Sequence, residues 1–169
     1  MVYTHSAAGD DVAAVAAAVI TVSDRSSRGE RADTSGPRAV ELLTEHGYVA
    51  SLAVIPDGAE SVTAAIRAAL ADGARVVITS GGTGVGPRDL TPEGTRPVLT
   101  REVPGVAEEL RREGARHAKM AVLSRGLAGV ADNAFVVNLP GSTKAVQEGL
   151  AVVLPLIPHI LEQLDGGDH

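Results

Sequence analysis

The chain alternates short runs of apolar, mostly β-branched residues with longer segments in which apolar positions recur every three or four residues. The short runs are Val19–Val22, Tyr48–Ile55, Arg75–Ser80 and Ala134–Leu139. Runs of this length and composition predict buried β-strands. The segment from Val62 to Leu70 repeats apolar residues at the spacing of one helix face. Strands that alternate with helices in this way predict an α/β fold with a mostly parallel sheet flanked by helices.

Residues with strong positional preferences mark where further helices begin and end. The segment 34–37, which ends in a proline, opens a helix that Gly47 terminates. Thr91 followed by Pro92 indicates an N-cap and the first helical position. A heavily charged helix with one solvated face is expected over 106–117.

The last helix should begin after Ser142, which can act as its N-cap. Pro155 and Pro158 should kink or split this helix near Leu154. We find no internal repeat and no second domain. The expected organisation is a disordered lead-in over 1–12, a single domain over 13–165 and a tail over 166–169.

The composition excludes several classes of function. Of 169 residues 44% are hydrophobic, enough for a packed core, and the formal net charge is −6. An acidic chain with two Tyr, one Phe and no Trp lacks the basic footprint and the stacking platforms of nucleic-acid binding. Because there is no cysteine, disulfides, zinc–thiolate sites and a catalytic thiol are excluded. Neither a signal peptide nor an apolar span of about 20 residues is present, so we expect a cytoplasmic protein without a membrane partner.

A glycine-rich stretch follows the third predicted strand and precedes the helix at Thr91. It contains Gly81-Gly82-Thr83-Gly84 and then Arg88-Asp89. Glycines let backbone N–H groups wrap an anion, an arginine binds phosphate oxygens, and a carboxylate is a ligand that Mg²⁺ prefers. Gly86 is followed by Pro87, so the stretch matches neither the Walker loop nor the dinucleotide fingerprint. A tight strand-to-helix turn with an exposed salt bridge is the plainer alternative.

Two other predicted strands end in polar residues. Ser23-Asp24 follows the first strand and Asp57 follows the second. Ligands of parallel α/β sheets bind beyond the carboxyl ends of the strands, so these residues and the glycine-rich stretch predict one shared pocket. Asp57, with Glu60 three residues later, suits a helix N-cap as well as a metal ligand, and the residues alone do not decide between them.

These motifs resemble the signature of the molybdopterin-binding Mog/MoaB family. The resemblance rests on Gly-Gly-Thr-Gly at 81–84, Arg88-Asp89 and Thr-Pro-Glu at 91–93, with a second motif, Asn-Leu-Pro-Gly, at 138–141. It covers roughly residues 15–164. The family includes molybdopterin adenylyltransferases and the G domain of gephyrin.

The resemblance implies a MogA/MoaB-like fold, a homotrimer or higher assembly, and Mg²⁺-dependent transfer of AMP from ATP to the terminal phosphate of molybdopterin, with release of pyrophosphate. By the same resemblance Asp89, Asp57 and Arg88 are the catalytic residues, and Asp57 and Asp89 hold the magnesium. The residues implied to bind molybdopterin or nucleotide are Ser23, Asp24, Gly81, Gly82, Thr83, Gly84, Ser124, Arg125, Pro140, Gly141 and Ser142.

Two positions depart from the family pattern. Gly94 stands where an alanine is usual, which should weaken the first turn of its helix by up to about 1 kcal/mol. Thr143 stands where proline is common in the adenylyltransferases, and the surrounding sequence is similar to the MoaB branch. That branch implies a second hypothesis, a non-catalytic protein that binds or carries molybdopterin.

Overall fold

The predicted strands form the parallel part of one six-stranded sheet. A computed structural model describes residues 14–168. The strands are β1 Ala16–Val22, β2 Val49–Ile55, β3 Val76–Ser80, β4 Arg101–Glu102, β5 Ala128–Ala131 and β6 Ala134–Leu139. Their order across the sheet is β2-β1-β3-β6-β5-β4. The first four are parallel, whereas β5 runs antiparallel to β6 and β4 antiparallel to β5.

Helices cover both faces of this sheet. They are α1 Asp24–Ser27, α2 Ser35–Glu45, α3 Ala59–Ala71, α4 Thr91–Thr95, α5 Pro104–His117, α6 Thr143–Val153 and α7 Ile157–Leu164, with 3-10 turns over 96–98 and 119–123. Side chains of β1 alternate between the faces: Val19 packs with residues of α2, α5, α6 and α7, and Ile20 packs with residues of α3. The α/β fold with a mostly parallel sheet is therefore confirmed.

Several local predictions hold, and one part of the sheet was not predicted. Gly47 follows α2 with a φ of 88°, Ser142 caps α6, and the last helix is split into α6 and α7. The chain between Thr100 and Ala131, for which only the helix over 106–117 was predicted, also supplies β4 and β5. The predicted lead-in over 1–12 lies outside the described residues.

Among residues 14–168, no single helix is long and apolar enough to cross a bilayer, and α6 and α7 reach that length only as a pair bent by 53°.

Gly94 brings α4 into close contact with α3. A Cβ at Gly94 would lie 2.5 Å from the carbonyl oxygen of Ala59 and 2.7 Å from Cβ of Val62. The glycine therefore serves packing, and its effect on helix propensity is secondary. We predict that Gly94→Ala destabilises the fold by about 1–3 kcal/mol because of overpacking. In a chain of this size, that lowers Tm in thermal unfolding by about 2–12 °C.

Gly105→Ala is the matched control, since Gly105 also lies in the first turn of a helix. A Cβ there would meet no atom of residues 14–168 within 4 Å. This substitution should leave Tm unchanged or raise it slightly, because alanine stabilises a helix relative to glycine by up to about 1 kcal/mol. Equal behaviour of the two variants would contradict the packing role of Gly94.

Candidate active site

The carboxyl ends of β1, β2 and β3 lie side by side, because the parallel register pairs Val22 with Ile55 and Thr21 with Ser80. The loops after these strands therefore open at one edge of the sheet. The segment after β6 joins them, since Leu139 pairs with Ser80 and its carbonyl accepts a hydrogen bond from Gly81 N at 3.0 Å. The predicted convergence of the strand ends is thus present in the structure.

The glycine loop, defined as residues 81–86, has a backbone that only glycine adopts easily. Gly81 and Gly82 have φ of 101° and 67°. Within the described part of the chain, the N–H groups of Gly82, Thr83 and Gly84 donate no hydrogen bond to another residue. These three donors are therefore available to an anion, whereas Gly81 N–H, which was also expected to bind phosphate, is bound to the carbonyl of Leu139.

Thr91 holds the first two residues of the glycine loop in place. It is fully buried, its Oγ1 donates to the carbonyl of Gly81 at 2.8 Å, and its N–H donates to the carbonyl of Gly82 at 3.1 Å. The prediction that Thr91 is an N-cap is wrong, because Leu90 occupies that position and no side chain caps α4. The Thr91 hydroxyl therefore fixes the backbone of the loop and does not cap the helix.

Three side chains from three different loops form one hydrogen-bonded cluster. Asp57 Oδ2 accepts from Asp24 N at 2.9 Å, and Asp24 Oδ1 accepts from Asp57 N at 3.0 Å. Arg88 donates from Nε to Asp24 Oδ2 and from Nη2 to Asp24 Oδ1, both at 3.0 Å, and from Nη2 to the carbonyl of Asp57 at 3.2 Å. We call Asp24, Asp57 and Arg88 the strand-end cluster.

The charges of this cluster support one another. Hydrogen bonds from Arg88 hold the pKa of the Asp24 carboxyl below its usual value of 3.8, and Asp24 in turn raises the pKa of the guanidinium. Both groups are therefore ionised at neutral pH. The formal charge of the cluster is −1, from two carboxylates and one guanidinium.

The side chain of Asp57 is not a helix cap. Gly58 is the N-cap residue of α3, and no side chain caps that helix. While Oδ2 of Asp57 accepts from Asp24, Oδ1 accepts no hydrogen bond from the described residues and would lie 3.4 Å from a Cβ at Gly82. Asp57 therefore presents one uncommitted carboxylate oxygen beside the glycine loop.

Asp89 lies inside the turn of the glycine loop. Its Oδ2 accepts from Gly86 N at 2.9 Å, and a Cβ at Gly84 or at Gly86 would lie 2.9 Å from the same oxygen. These two glycines thus leave room for the Asp89 carboxylate. Asp89 and Asp57 border the loop at different points and make no hydrogen bond to each other.

Arg125 braces the glycine loop from the opposite side. Its Nε donates to the carbonyl of Gly84 at 2.8 Å, its Nη2 donates to the carbonyl of Asp89 at 2.6 Å, and its Nη1 is ion-paired with Glu93. Its own N–H donates to the carbonyl of Thr83 at 2.8 Å. Arg125 was expected among the substrate-binding residues. Its guanidinium instead contacts the loop and Glu93.

An apolar groove of about 350 Å³ adjoins the glycine loop, between α5 with its following 3-10 turn and the start of α6. Thr83, Gly84, Ser124, Pro140 and Ser142 line its end nearest the loop, and Leu110, Met120, Leu123 and Val152 line its apolar walls. The Ser142 hydroxyl accepts from Ala145 N at 3.1 Å, as predicted for a helix cap. Ser142 thus caps α6 and also lines the groove.

The two remaining predicted residues have structural contacts here. Ser23 caps α1, accepting a hydrogen bond from Ser26 N at 3.2 Å. Gly141 lets two backbones approach closely, since a Cβ there would lie 3.2 Å from Cα of Gly81. Gly141 has no side chain to offer a ligand, and the Ser23 hydroxyl oxygen already accepts the cap hydrogen bond.

Asn138 is a site residue to which sequence reasoning gave no role. It lines the groove, is 2% exposed, and donates from Nδ2 to Thr79 Oγ1 at 2.8 Å and to Thr95 Oγ1 at 3.0 Å. Its Oδ1 accepts from Leu127 N at 3.0 Å. An amide side chain within an apolar strand run was the signal, because a buried polar group needs such partners.

Comparison with known proteins identifies the family. The family model described as probable molybdopterin binding domain matches residues 18–159. The chain belongs to this family. It is 42% identical over 159 residues to a molybdenum cofactor biosynthesis bifunctional protein of Synechococcus elongatus, covering 94% of this chain and 50% of that one. The chain thus spans about half the length of this curated relative.

A relative of similar size carries an enzyme name. The molybdopterin adenylyltransferase of Pyrococcus furiosus is 38% identical over 149 residues, covering 85% of this chain and 88% of the relative. Among solved structures, a molybdopterin biosynthesis protein from Mycobacterium abscessus superposes with a TM-score of 0.85 at 42% identity, covering 90% of this chain and 97% of that one. The fold expected from the family resemblance is confirmed.

Two carboxylate oxygens beside the glycine loop accept no hydrogen bond from the described residues. Among residues 14–168, no group of three or more His, Asp or Glu side chains could hold a metal ion. Mg²⁺ in nucleotide sites is bound by one or two carboxylates together with phosphate oxygens and water. The uncommitted oxygens are Asp57 Oδ1 and the second oxygen of Asp89. Both oxygens of Asp24, in contrast, are engaged by Arg88 and Asp57.

The Arg125–Glu93 pair should stabilise the fold at neutral pH and lose this effect at acid pH. The hydrogen bond from Arg125 lowers the pKa of Glu93 from its usual 4.5. A lowered folded pKa stabilises the protein above the unfolded value, and this contribution is lost as pH falls through the folded pKa. We predict that Glu93→Gln lowers Tm at pH 7, and that its Tm approaches that of the wild type as the pH is taken well below 4.5.

Glu45→Gln, at the exposed end of α2, is the control, and its Tm difference should stay small throughout. A Glu93→Gln difference that persisted unchanged at acid pH would show that the ion pair is not its source.

Proposed function

We propose that this protein adenylylates molybdopterin. An oxygen of the terminal phosphate of molybdopterin attacks the α-phosphorus of ATP, the bond from that phosphorus to the β-phosphate oxygen breaks, and pyrophosphate leaves. The attacking phosphate is already an anion at neutral pH, so the step needs positioning and charge neutralisation in place of a general base. The observation that carries the proposal is the strand-end cluster beside a glycine loop with three free N–H donors.

Phosphate groups bind at the glycine loop. The N–H groups of Gly82, Thr83 and Gly84 donate to phosphate oxygens, and Nη1 of Arg88, which has no partner among the described residues, adds a charged donor. Magnesium would be held by Asp57 and Asp89 and would neutralise charge on the departing pyrophosphate.

The apolar groove takes the pterin. A flat heteroaromatic ring suits a cleft with mostly apolar walls and a few polar groups that fix its orientation. Ser124 and Ser142 supply hydroxyl groups at the end of the groove nearest the loop. A pterin in the groove therefore places its phosphate tail beside Thr83 and Gly84, which line both the groove and the loop.

The direct test is mass spectrometry of the products after purified protein is mixed with molybdopterin, ATP and Mg²⁺. We expect adenylylated molybdopterin and pyrophosphate in equal amounts, and neither of them when EDTA is added. Unchanged molybdopterin with full-length, folded protein would overturn the proposed reaction.

The MoaB-branch features keep a molybdopterin carrier as the second candidate. Titration calorimetry separates the two functions, because a carrier should bind molybdopterin and show no Mg²⁺-dependent binding of ATP. Metal-dependent nucleotide binding is the result expected here.

A cytoplasmic location also stays a prediction.

A homotrimer or higher assembly is the expected state in solution. β2 forms an open edge of the sheet, and its Val49, Leu52 and Val54 are 62%, 40% and 38% exposed. Apolar side chains on an unpaired edge favour burial against another chain. Light scattering should therefore report a mass of at least three times 17.2 kDa, and a monomer alone would contradict this expectation.

A further inference from the structure

The carboxylate of Asp24 is the point where three loops of the site meet. It accepts hydrogen bonds from Nε and Nη2 of Arg88 and from the backbone N–H of Asp57. Its own backbone N–H donates to Asp57 Oδ2. The Asp24 side chain is only 22% exposed, whereas that of Arg88 is 63% exposed. Both oxygens of Asp24 therefore accept hydrogen bonds from other residues of the site.

We propose that Asp24 is a positioning residue that acts through Arg88 and Asp57 and does not itself touch the substrates. This inference rests on the proposed function of the site. It differs from the family expectation for Asp24, which places it among the residues that bind molybdopterin or nucleotide.

The first part of this role is to orient Arg88. A guanidinium offers a paired N–H edge that suits one carboxylate or phosphate. The edge of Arg88 formed by Nε and Nη2 binds Asp24. Among the described residues Nη1 has no partner, so it is the nitrogen that can point at a ligand. Without Asp24, a long and largely exposed side chain would lose its fixed rotamer and could use its paired edge on phosphate in several geometries.

The second part is to aim the carboxylate of Asp57. The Asp24 carboxylate accepts from the backbone N–H of Asp57, and this bond holds the two segments together so that the backbone N–H of Asp24 can bind Asp57 Oδ2. The other oxygen of Asp57 is then directed beside Gly82 of the glycine loop. Asp24 thus couples the cation to the carboxylate that is expected to hold magnesium. Displacements of about 1 Å in such groups can slow a reaction about 100-fold without abolishing binding.

A double-mutant cycle of Asp24→Asn and Arg88→Ala tests this role, with kcat and KM for AMP transfer and the calorimetric affinity for Mg²⁺–pyrophosphate as readouts. Asp24→Asn keeps the side-chain shape and removes its charge. In the wild-type background we expect kcat to fall about 10- to 100-fold with KM for molybdopterin changed less than about threefold. In the Arg88→Ala background the same change should cost less than about threefold, since neighbours that act together are not additive.

Asp33→Asn is the matched control, because Asp33 also anchors a loop, accepting from Thr21 Oγ1 at 2.8 Å and from Gly36 N at 3.0 Å. Its effects on Tm and kcat should add to those of Arg88→Ala. Additive effects of Asp24→Asn and Arg88→Ala would overturn the positioning role and assign Asp24 a separate contact with the substrates.

The two readouts separate this inference from the proposed function. If the wild type transfers no AMP but binds Mg²⁺–pyrophosphate, the reaction is wrong, and the same non-additivity in affinity still supports the role of Asp24. If the wild type neither transfers AMP nor binds Mg²⁺–pyrophosphate, both proposals fail.

Discussion

Asp57→Asn should reduce AMP transfer at least about 100-fold while the protein stays folded and continues to bind molybdopterin. The substitution preserves the size of the side chain, and one amide oxygen can still accept the hydrogen bond that Asp24 N now donates to Oδ2. What is lost is the negative charge of the oxygen beside Gly82. Because that charge is expected to hold magnesium, the loss should appear in kcat and in the affinity for Mg²⁺.

Mass spectrometry of the products and calorimetry with Mn²⁺ as a substitute for Mg²⁺ check this prediction. Asp72→Asn is the control, since Asp72 is exposed and lies at the C-terminal end of α3, on the side of the sheet where the parallel strands begin. The control should transfer AMP at the wild-type rate. Full activity in Asp57→Asn would remove this carboxylate from the mechanism.

The parallel half of the sheet could be predicted because its strands are long and β-branched and are separated by helices. The antiparallel half was missed for a physical reason. β4 has only two residues, Arg101 and Glu102, and β5 is Ala-Gly-Val-Ala, with low intrinsic strand propensity. The sequence did carry one signal: Asp132-Asn133 between two apolar runs is a two-residue hairpin turn, and Asp132 has a φ of 52°.

The site shows the same division between what the sequence indicates and what it leaves open. The motifs located Asp57, Arg88 and the glycine loop at one edge, since strand ends are set by topology. The partner of each polar atom could not be predicted, because it depends on side-chain rotamers fixed by residues far apart in the chain. Arg125 thus braces the loop through Gly84 and Asp89, which lie 41 and 36 residues away.

A side chain at position 81 of the glycine loop should strongly destabilise the fold. Gly81 has a φ of 101°, and an added Cβ would overlap the carbonyl oxygen of Val22, at the end of β1. Neither atom can move without disturbing the sheet, because Gly81 N–H is also bound to the carbonyl of Leu139. We predict that Gly81→Ala destabilises the fold by about 3–5 kcal/mol, a sum of left-handed strain and overpacking.

Thermal unfolding should therefore show Tm lowered by about 6–20 °C, and the folded remainder should bind Mg²⁺–pyrophosphate weakly because the loop donors are displaced. Gly73→Ala isolates the strain, since Gly73 has a φ of 94° and a Cβ there would meet no atom within 4 Å. That variant should lose only about 1–2 kcal/mol and retain full affinity. If the two alanine variants lost equal stability, the close crossing of β1 and the glycine loop would not be what excludes a side chain at Gly81.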